Sequence, residues 1–232
     1  MSVRNWWRVQ AWMTLPGLMM GIVLSTSTYA EVYIAGQAGV TFPQALSDVE
    51  RTSAGSGLPA GTKVSDLNLK TSVLYGLKLG YYLESFPWLG IEGEVFNTNP
   101  HVEQQTQTLT LPSGTVLSAN TTGSLLSVLT LATNLMVRYP GASLQPYLGV
   151  GPGLFFARNH FSTAAGEAST STTQIGLNAL AGVRYLVTDH VALFLEGKYS
   201  HAQLNFGASR TMPGSQNTYD AFHGALGVAY VF

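Results

Sequence analysis

The chain closes with the stretch Ala221-Phe222-His223-Gly224-Ala225-Leu226-Gly227-Val228-Ala229-Tyr230-Val231-Phe232. Most of its even-numbered positions carry large apolar side chains, whereas the odd-numbered positions from 221 to 229 carry alanine, histidine or glycine. Successive side chains of a β-strand point to opposite faces. The stretch therefore predicts a strand with one apolar face and one face of small or polar residues.

The same alternation recurs upstream of this stretch. It is found in segments 31–42, 70–83, 88–98, 125–139, 146–158, 174–187 and 191–205. A tilted strand that crosses a bilayer needs ~9–11 residues, and each of these segments is long enough. The sequence thus predicts eight strands.

The connections between the predicted strands sort by length. Short turns rich in Pro, Gly, Asp and Ser lie at 84–87, 140–145 and 188–190. Long polar segments lie at 43–69, 99–124, 159–173 and 206–220. Strict alternation of short and long connections is typical of outer-membrane barrels, with short periplasmic turns and longer extracellular loops. The strands of a soluble β-sandwich would also alternate, but its connections would not sort in this way.

The composition also separates this chain from soluble domains. Only 10% of its residues are charged, against roughly 25% in an average globular protein. Beyond the N-terminal region no apolar run approaches the ~20 residues of a membrane helix. The other structure that spans lipid with all backbone groups satisfied is a closed barrel. We therefore predict an all-β chain that forms an eight-stranded antiparallel up-and-down transmembrane β-barrel with its apolar faces toward lipid.

Aromatic residues near the segment ends predict two interfacial girdles. Trp88 belongs to this set although it falls on the inward phase of its segment. The girdle at the turn side comprises Tyr81, Trp88, Tyr139, Tyr185 and Tyr230, and the girdle at the loop side comprises Phe96, Phe156, Tyr199 and Phe222.

The N-terminus has the build of a secretory signal peptide. Arg4 and Arg8 precede an apolar run at 9–24, and small polar residues then lead to Ala30. A retained membrane anchor is the alternative, but the run is shorter than the ~20 residues needed to span and contains a proline. We predict a signal peptide at 1–30 and an outer-membrane β-barrel domain at 31–232.

Charge and cysteine content exclude several functions. Removal of the signal segment takes two of the eleven basic residues and leaves nine against twelve acidic ones. No basic stripe suggests nucleic acid. The chain has no cysteine, so disulfides and thiolate metal sites are excluded. The five histidines are scattered without metal-ligand spacing, and we predict neither a metal nor a cofactor.

Four motifs resemble those of the eight-stranded outer-membrane barrels typified by the transmembrane region of outer-membrane protein A and by related small surface antigens. They are Tyr33-Ile34-Ala35-Gly36-Gln37-Ala38-Gly39, Trp88-Leu89-Gly90-Ile91-Glu92-Gly93-Glu94, Pro146-Tyr147-Leu148-Gly149-Val150-Gly151-Pro152-Gly153 and Gly227-Val228-Ala229-Tyr230-Val231-Phe232. The resemblance implies a monomer in the cell outer membrane, surrounded by lipid and lipopolysaccharide. Phe232, with Tyr230 and Val228 in phase behind it, resembles the signal that the outer-membrane assembly machinery reads.

The inward phase of the predicted strands carries charge. Eight strands enclose a lumen just wide enough for side chains, and isolated buried charges cost several kcal/mol each. We therefore predict a salt-bridge network that plugs the lumen, with Asn134, Asn178 and His223 as hydrogen-bonding neighbours. Its members are four cations and three anions: Lys78, Glu92, Glu94, Arg138, Arg184, Glu196 and Lys198. The network is either structural filler or a switchable plug in a narrow ion path.

A lipid-modifying enzyme is a third possibility. Small barrels include lipid A deacylases, which pair a His and a Ser on a late strand facing lipid, and a palmitoyl transferase. The nearest candidate here is Ser200-His201. Adjacent strand residues point to opposite faces, so they cannot form a nucleophile–base pair. We therefore predict no enzyme activity.

The loops are where a specific function would reside. Segments 105–111 and 115–119 continue the alternation around a turn at Pro112-Ser113-Gly114, which predicts that strands three and four extend as a hairpin above the membrane. The first loop contains Gly55, Gly57, Pro59 and Gly61 and is expected to be mobile. A protruding sheet edge suits a host or surface ligand, whereas Ser- and Thr-rich loops also serve as solvated caps. The leading hypothesis is a structural or surface-interaction (adhesin- or antigen-like) barrel, with a narrow porin-like channel as the alternative.

Overall fold

The computed structural model describes residues 30–54, 58–121, 123–141, 143–163, 166–207 and 214–232. Nearly all of the predicted signal peptide lies outside these residues, so that assignment remains a prediction. Thirteen strands are present in the described part. They are β1 (Glu31–Pro43), β2 (Ser47–Arg51), β3 (Lys63–Val64), β4 (Ser72–Tyr82), β5 (Leu89–Thr98), β6 (His101–Val102), β7 (Gln105–Thr110), β8 (Val116–Thr121), β9 (Ser124–Arg138), β10 (Leu144–Thr163), β11 (Gly166–Leu186), β12 (Val191–Phe206) and β13 (Ser215–Val231). No helix long and apolar enough to span a membrane occurs among the described residues.

Eight of these strands close into an antiparallel barrel. The order around the wall is β1-β4-β5-β9-β10-β11-β12-β13, and β13 pairs again with β1. The closing ladder runs from Tyr33 opposite Val231 to Pro43 opposite Ala221. Closure leaves no unpaired edge in the wall, which is what lipid immersion requires. The predicted eight-stranded all-β barrel is confirmed.

The two ends of the barrel differ. The short turns and both ends of the described chain lie at one end, here called the turn end, and the long connections lie at the other, the loop end. β10 and β11 are far longer than predicted, because the segment 159–173 continues their ladder from Arg158–Ser171 to Thr163–Gly166 instead of forming a polar loop. Threonines favour strands through their β-branched side chains, and several lie in this segment.

The faces follow the predicted alternation. Large apolar side chains on the outside are exposed, among them Leu77, Leu148 and Leu195. Phe96 is a correction to the predicted girdle: it is 2% exposed and points into the barrel, in phase with the lumen charges. Trp88 lies in the turn before β5, outside the strand's alternation, and is 42% exposed beside Phe86.

A small sheet rises from the loop end. β2 pairs with the top of β13, β3 with β2, β7 with β3, and β8 with β7. The predicted hairpin is therefore present, and Gly114 at its turn has a φ of +85°, a conformation that favours glycine. It does not extend strands three and four directly. After the short β6, Glu103 N–H donates to Asn68 O (2.9 Å), so the chain crosses to the first long loop.

Candidate functional site

A central cluster of five charged side chains fills the middle of the lumen. Lys78 Nζ lies 2.7 Å from Glu196 Oε2 and 3.0 Å from Glu92 Oε1. Lys198 pairs with Glu94 and lies 3.1 Å from Glu196 Oε1. All five residues are at most 3% exposed. The β4–β5 ladder sets Lys78 opposite Glu94, and Glu196 comes from β12 on another part of the wall.

A second cluster lies at the turn end. Arg138 Nη1 is 2.6 Å from Glu31 Oε2, and Arg184 Nη1 is 2.7 Å from Glu31 Oε1. Gln145 Oε1 accepts a further hydrogen bond from Arg184 Nη2 (2.5 Å). The seven predicted network residues thus lie in the lumen but in two groups, and Glu31 was absent from the predicted set. Glu31 has the same inward phase as Tyr33 and Gln37, and this phase could have assigned it to the lumen.

Aromatic side chains lie between the two clusters and contact both of them. Tyr33 donates its hydroxyl to Glu92 Oε2 (2.5 Å), and Tyr147 donates to Glu196 Oε2 (2.8 Å). The Arg138 guanidinium lies 3.7 Å from the ring centre of Tyr82. A void of about 20 Å³ remains between the clusters, room for a single water molecule. Buried side chains of both clusters line this void.

A layer of neutral polar groups lies beside the central cluster. Asn178 Nδ2 donates to Asn134 Oδ1 (3.1 Å), and Ser200 Oγ donates to Asn178 Oδ1 (3.2 Å). His223 lies within hydrogen-bond distance of Ser200 Oγ through Nε2 (3.2 Å) and of Thr41 Oγ1 through Nδ1 (2.9 Å). The three predicted neighbours Asn134, Asn178 and His223 therefore belong to one hydrogen-bonded chain.

An apolar layer covers the lumen at the loop end. Inward side chains of the wall, such as Phe155 and Leu204, pack with Leu46 and Val49 of the first long loop. Val64, Leu67 and Leu69 pack against the same cluster. Sequence reasoning missed this cover, because the loop was regarded as polar and mobile; its apolar residues were the available signal. Gly55 and Gly57 lie outside the described residues.

Ser200 and His201 are the residues that a deacylase would need to bring together. The prediction that the two residues point to opposite faces is confirmed, because Ser200 lies in the lumen while His201 Nδ1 lies 2.7 Å from Asp220 Oδ1 on the outside. Tyr199 donates its hydroxyl to the same carboxylate oxygen (2.5 Å). In the described part of the chain, no group of three His, Asp or Glu residues is arranged to hold a metal.

The residues of the predicted assembly signal lie on the outside at the turn end. Val228, Tyr230 and Phe232 are exposed, and the rings of Tyr230 and Phe232 meet edge to face at 5.0 Å. Phe232 N–H donates to Val32 O (3.0 Å), which continues the closing ladder. Recognition of these side chains by the assembly machinery stays a prediction.

A closed wall with an apolar exterior and a polar, side-chain-filled interior defines a transmembrane β-barrel. The chain belongs to the outer membrane protein beta-barrel domain family, whose model matches residues 17–232. It is therefore a protein of the Gram-negative outer membrane. In barrels of this class the long loops face the outside of the cell and the short turns face the periplasm.

Solved structures that resemble this one have low sequence identity to this chain. OprG from Pseudomonas aeruginosa is 15% identical, with a TM-score of 0.55 over 88% of this chain and 97% of that one. Neisserial surface protein A is 16% identical (TM-score 0.47, 88% and 99%), and Ail of Yersinia pestis in complex with the heparin analogue sucrose octasulfate is 15% identical (TM-score 0.46, 88% and 98%). No significant match was found among curated proteins.

Proposed function

We propose that this protein is a non-conducting surface-interaction barrel, in which a sealed membrane scaffold presents an extracellular strand edge to a partner polypeptide. The role is not catalytic, and the barrel acts as a monomer. The observation that carries the proposal is the open edge of β8.

Backbone geometry defines which groups of β8 are available. Leu111 N–H donates to Thr115 O (2.9 Å) at the end of the β7–β8 ladder. Hydrogen-bonded and non-hydrogen-bonded pairs alternate in an antiparallel ladder, so the pairs 109–117 and 107–119 are hydrogen-bonded. The N–H and C=O groups of Val116, Ser118 and Asn120 therefore point away from β7. Within the described residues β8 pairs with no other strand.

The side chains of β8 leave this edge unprotected. Val116 is 61% exposed and Leu117 is 43% exposed, and the segment 116–121 carries no charge and no proline. Natural proteins usually block exposed edges with charges, prolines or bulges. An edge without these features supports strand addition, in which main-chain hydrogen bonds supply affinity and alternate side chains supply specificity. The other side of the hairpin is covered by β3.

Attachment of cells that display the protein tests this proposal. A non-adherent Gram-negative strain would carry the wild type, a deletion of 105–119, Ser118→Pro or Ser118→Thr. Proline at 118 removes one outward N–H without touching a β7–β8 bond, and threonine is the matched control. Attachment to cultured epithelial monolayers should fall to the empty-strain level for the deletion, fall strongly for Ser118→Pro and stay unchanged for Ser118→Thr. Equal attachment by all four strains contradicts the proposal.

A further inference from the structure

The membrane-facing wall formed by β11, β12 and β13 carries a depression. Facing residues form rows across these strands, and one row consists of Ala181, Gly197 and Gly224. The row below it contains Leu195 and Leu226, and the row above it contains Tyr199 and Phe222. Small residues between two bulky rows leave a notch of about 420 Å³, open to the outside.

A cluster of ionisable side chains lies directly above this notch. Asp220 Oδ1 accepts hydrogen bonds from Tyr199 Oη (2.5 Å) and from His201 Nδ1 (2.7 Å). The ring of Tyr199 packs against Phe222 at 5.1 Å. The imidazole of His201 is 42% exposed. Since Nδ1 is engaged by Asp220, Nε2 is the ring nitrogen that can serve a ligand.

The order of the outward-facing rows from top to bottom indicates how deep the cluster lies in the membrane. Above His201 and Asp220 the outward pairs are Gln203 with Thr218 and Asn205 with Gln216, all of them polar. Below them lie the aromatic pair and then apolar rows. Aromatic side chains mark the level of the lipid head groups. The cluster therefore lies at the extracellular head-group level, and the notch lies in the acyl-chain region just beneath it.

A ligand of this face must be amphiphilic, because it has to fill an apolar notch below the interface and meet hydrogen-bonding groups at it. We propose that the face binds lipid A, the phosphorylated glycolipid of the outer leaflet: one acyl chain occupies the notch over Gly197 and Gly224, and a phosphate accepts a hydrogen bond from His201 Nε2. Gln203 and Thr218 offer further donors to the sugar and phosphate oxygens. Asp220 fixes the orientation of the imidazole. The inference is independent of the β8 edge.

Histidine, rather than an acidic group, is the residue that can face the phosphate. A protonated imidazole presents two N–H donors, and charge-assisted hydrogen bonds to phosphate are stronger than neutral ones. The groups that face His201 are Asp220 of β13, Tyr199 of its own strand β12 and the apolar Leu177 of β11.

Retention of defined lipids by the purified protein tests the site. The full barrel in detergent would be incubated with bisphosphorylated lipid A, with the same lipid after removal of its phosphates, or with phosphatidylglycerol, and bound lipid would be counted by native mass spectrometry. His201→Gln removes the imidazole that would bridge Asp220 and the phosphate, and Gly197→Leu fills the notch. A Cβ at Gly197 meets only Ala181 O, at an ordinary 3.9 Å, so this variant is expected to fold.

Two control variants make the same changes away from the notch. His190 stacks on Tyr230 (5.9 Å) at the turn end, so His190→Gln removes a girdle histidine elsewhere. Gly36 also faces outward, and a Cβ there meets nothing within 4 Å, so Gly36→Leu adds the same bulk away from the notch.

The expected result is selective retention of bisphosphorylated lipid A. Loss of the hydrogen bond between His201 and the phosphate should weaken retention about tenfold in His201→Gln, and Gly197→Leu should abolish it, while both controls behave as wild type. Equal retention of the dephosphorylated lipid, or equal loss in Gly36→Leu, overturns the proposal. Retention of phosphatidylglycerol with the same variant profile overturns the assignment to lipid A.

Discussion

Lys78 on β4 and Glu196 on β12 meet inside the barrel, with 2.7 Å between Nζ and Oε2. Three β-strand interfaces separate their strands around the wall, so the contact spans the lumen and does not follow a ladder. With Glu31 included, the lumen holds four cationic and four anionic side chains among the described residues. Paired charges of equal number make the plug neutral, which lowers the cost of burying it.

Truncation of Glu196 should destabilise the barrel strongly. Glu196→Ala leaves Lys78 and Lys198 with less buried negative charge, and breaking such a pair costs about 3–5 kcal/mol. Urea unfolding from lipid vesicles, followed by tryptophan fluorescence, measures the change. The matched control is Lys70→Ala, since Lys70 and Glu103 form an exposed pair at 3.8 Å and such pairs contribute about 0–1 kcal/mol. If both substitutions lowered the free energy of unfolding by a similar amount, the buried cluster would contribute no more to stability than an exposed ion pair.

Removal of Glu31 should be tolerated better when a cation is removed with it. Glu31→Gln leaves Arg138 and Arg184 facing each other without a carboxylate. The double variant Glu31→Gln with Arg184→Met removes the excess charge, so its free energy of unfolding should lie closer to the wild-type value than that of Glu31→Gln alone. Additive losses in the two single variants and the double variant would contradict the coupling inferred from the distances.

A lumen filled by these side chains, as we propose, should not conduct ions. Planar-bilayer recordings of the purified protein should show no channel events above background for the wild type or for Glu92→Ala, because the apolar layer at the loop end closes the lumen independently of the charges. Regular single-channel steps in the wild type would instead support the narrow-channel alternative.

The cover at the loop end should depend on its apolar contacts. Leu46→Ala removes a buried side chain from the loop-end cluster, a change that typically costs about 2–5 kcal/mol. The first loop should then be cleaved faster by added protease, while the barrel stays intact on gels. Val116→Ala is the control because Val116 is exposed on β8. Unchanged cleavage of Leu46→Ala would show that other contacts hold the loop.

The assembly signal should act in cells and not in folding itself. Phe232→Ser should lower the amount of folded protein in the outer membrane, whereas refolding of the same variant into vesicles should match the wild type. Phe86→Ser removes another exposed phenylalanine at the turn end and is the matched control. Equal losses in cells for both variants would contradict a specific signal.

The alternation of side chains along the sequence was sufficient to predict the barrel. It also predicted the side of the wall on which each charged residue lies. Lys78, Glu94 and Lys198 could be assigned to the lumen from their phase alone, because side chains alternate with a period of two. The same rule separated Ser200 from His201. The phase of the alternation did not predict the position of Trp88, because Trp88 lies in a turn. The ladder between β10 and β11 beyond residue 158 was not predicted, because its polar residues resemble those of a loop.

The local sequence therefore determined the wall: eight amphipathic strands, their order and their inward and outward faces follow from period and connection length. Contacts between strands distant around the barrel were decided only by closure. The pairing of Lys78 with Glu196, the position of Glu31 between two arginines, the cover by Leu46 and the notch beside His201 each depend on register and on the narrow diameter of the barrel. Those quantities arise from the packing of all eight strands together, so no single segment encodes them.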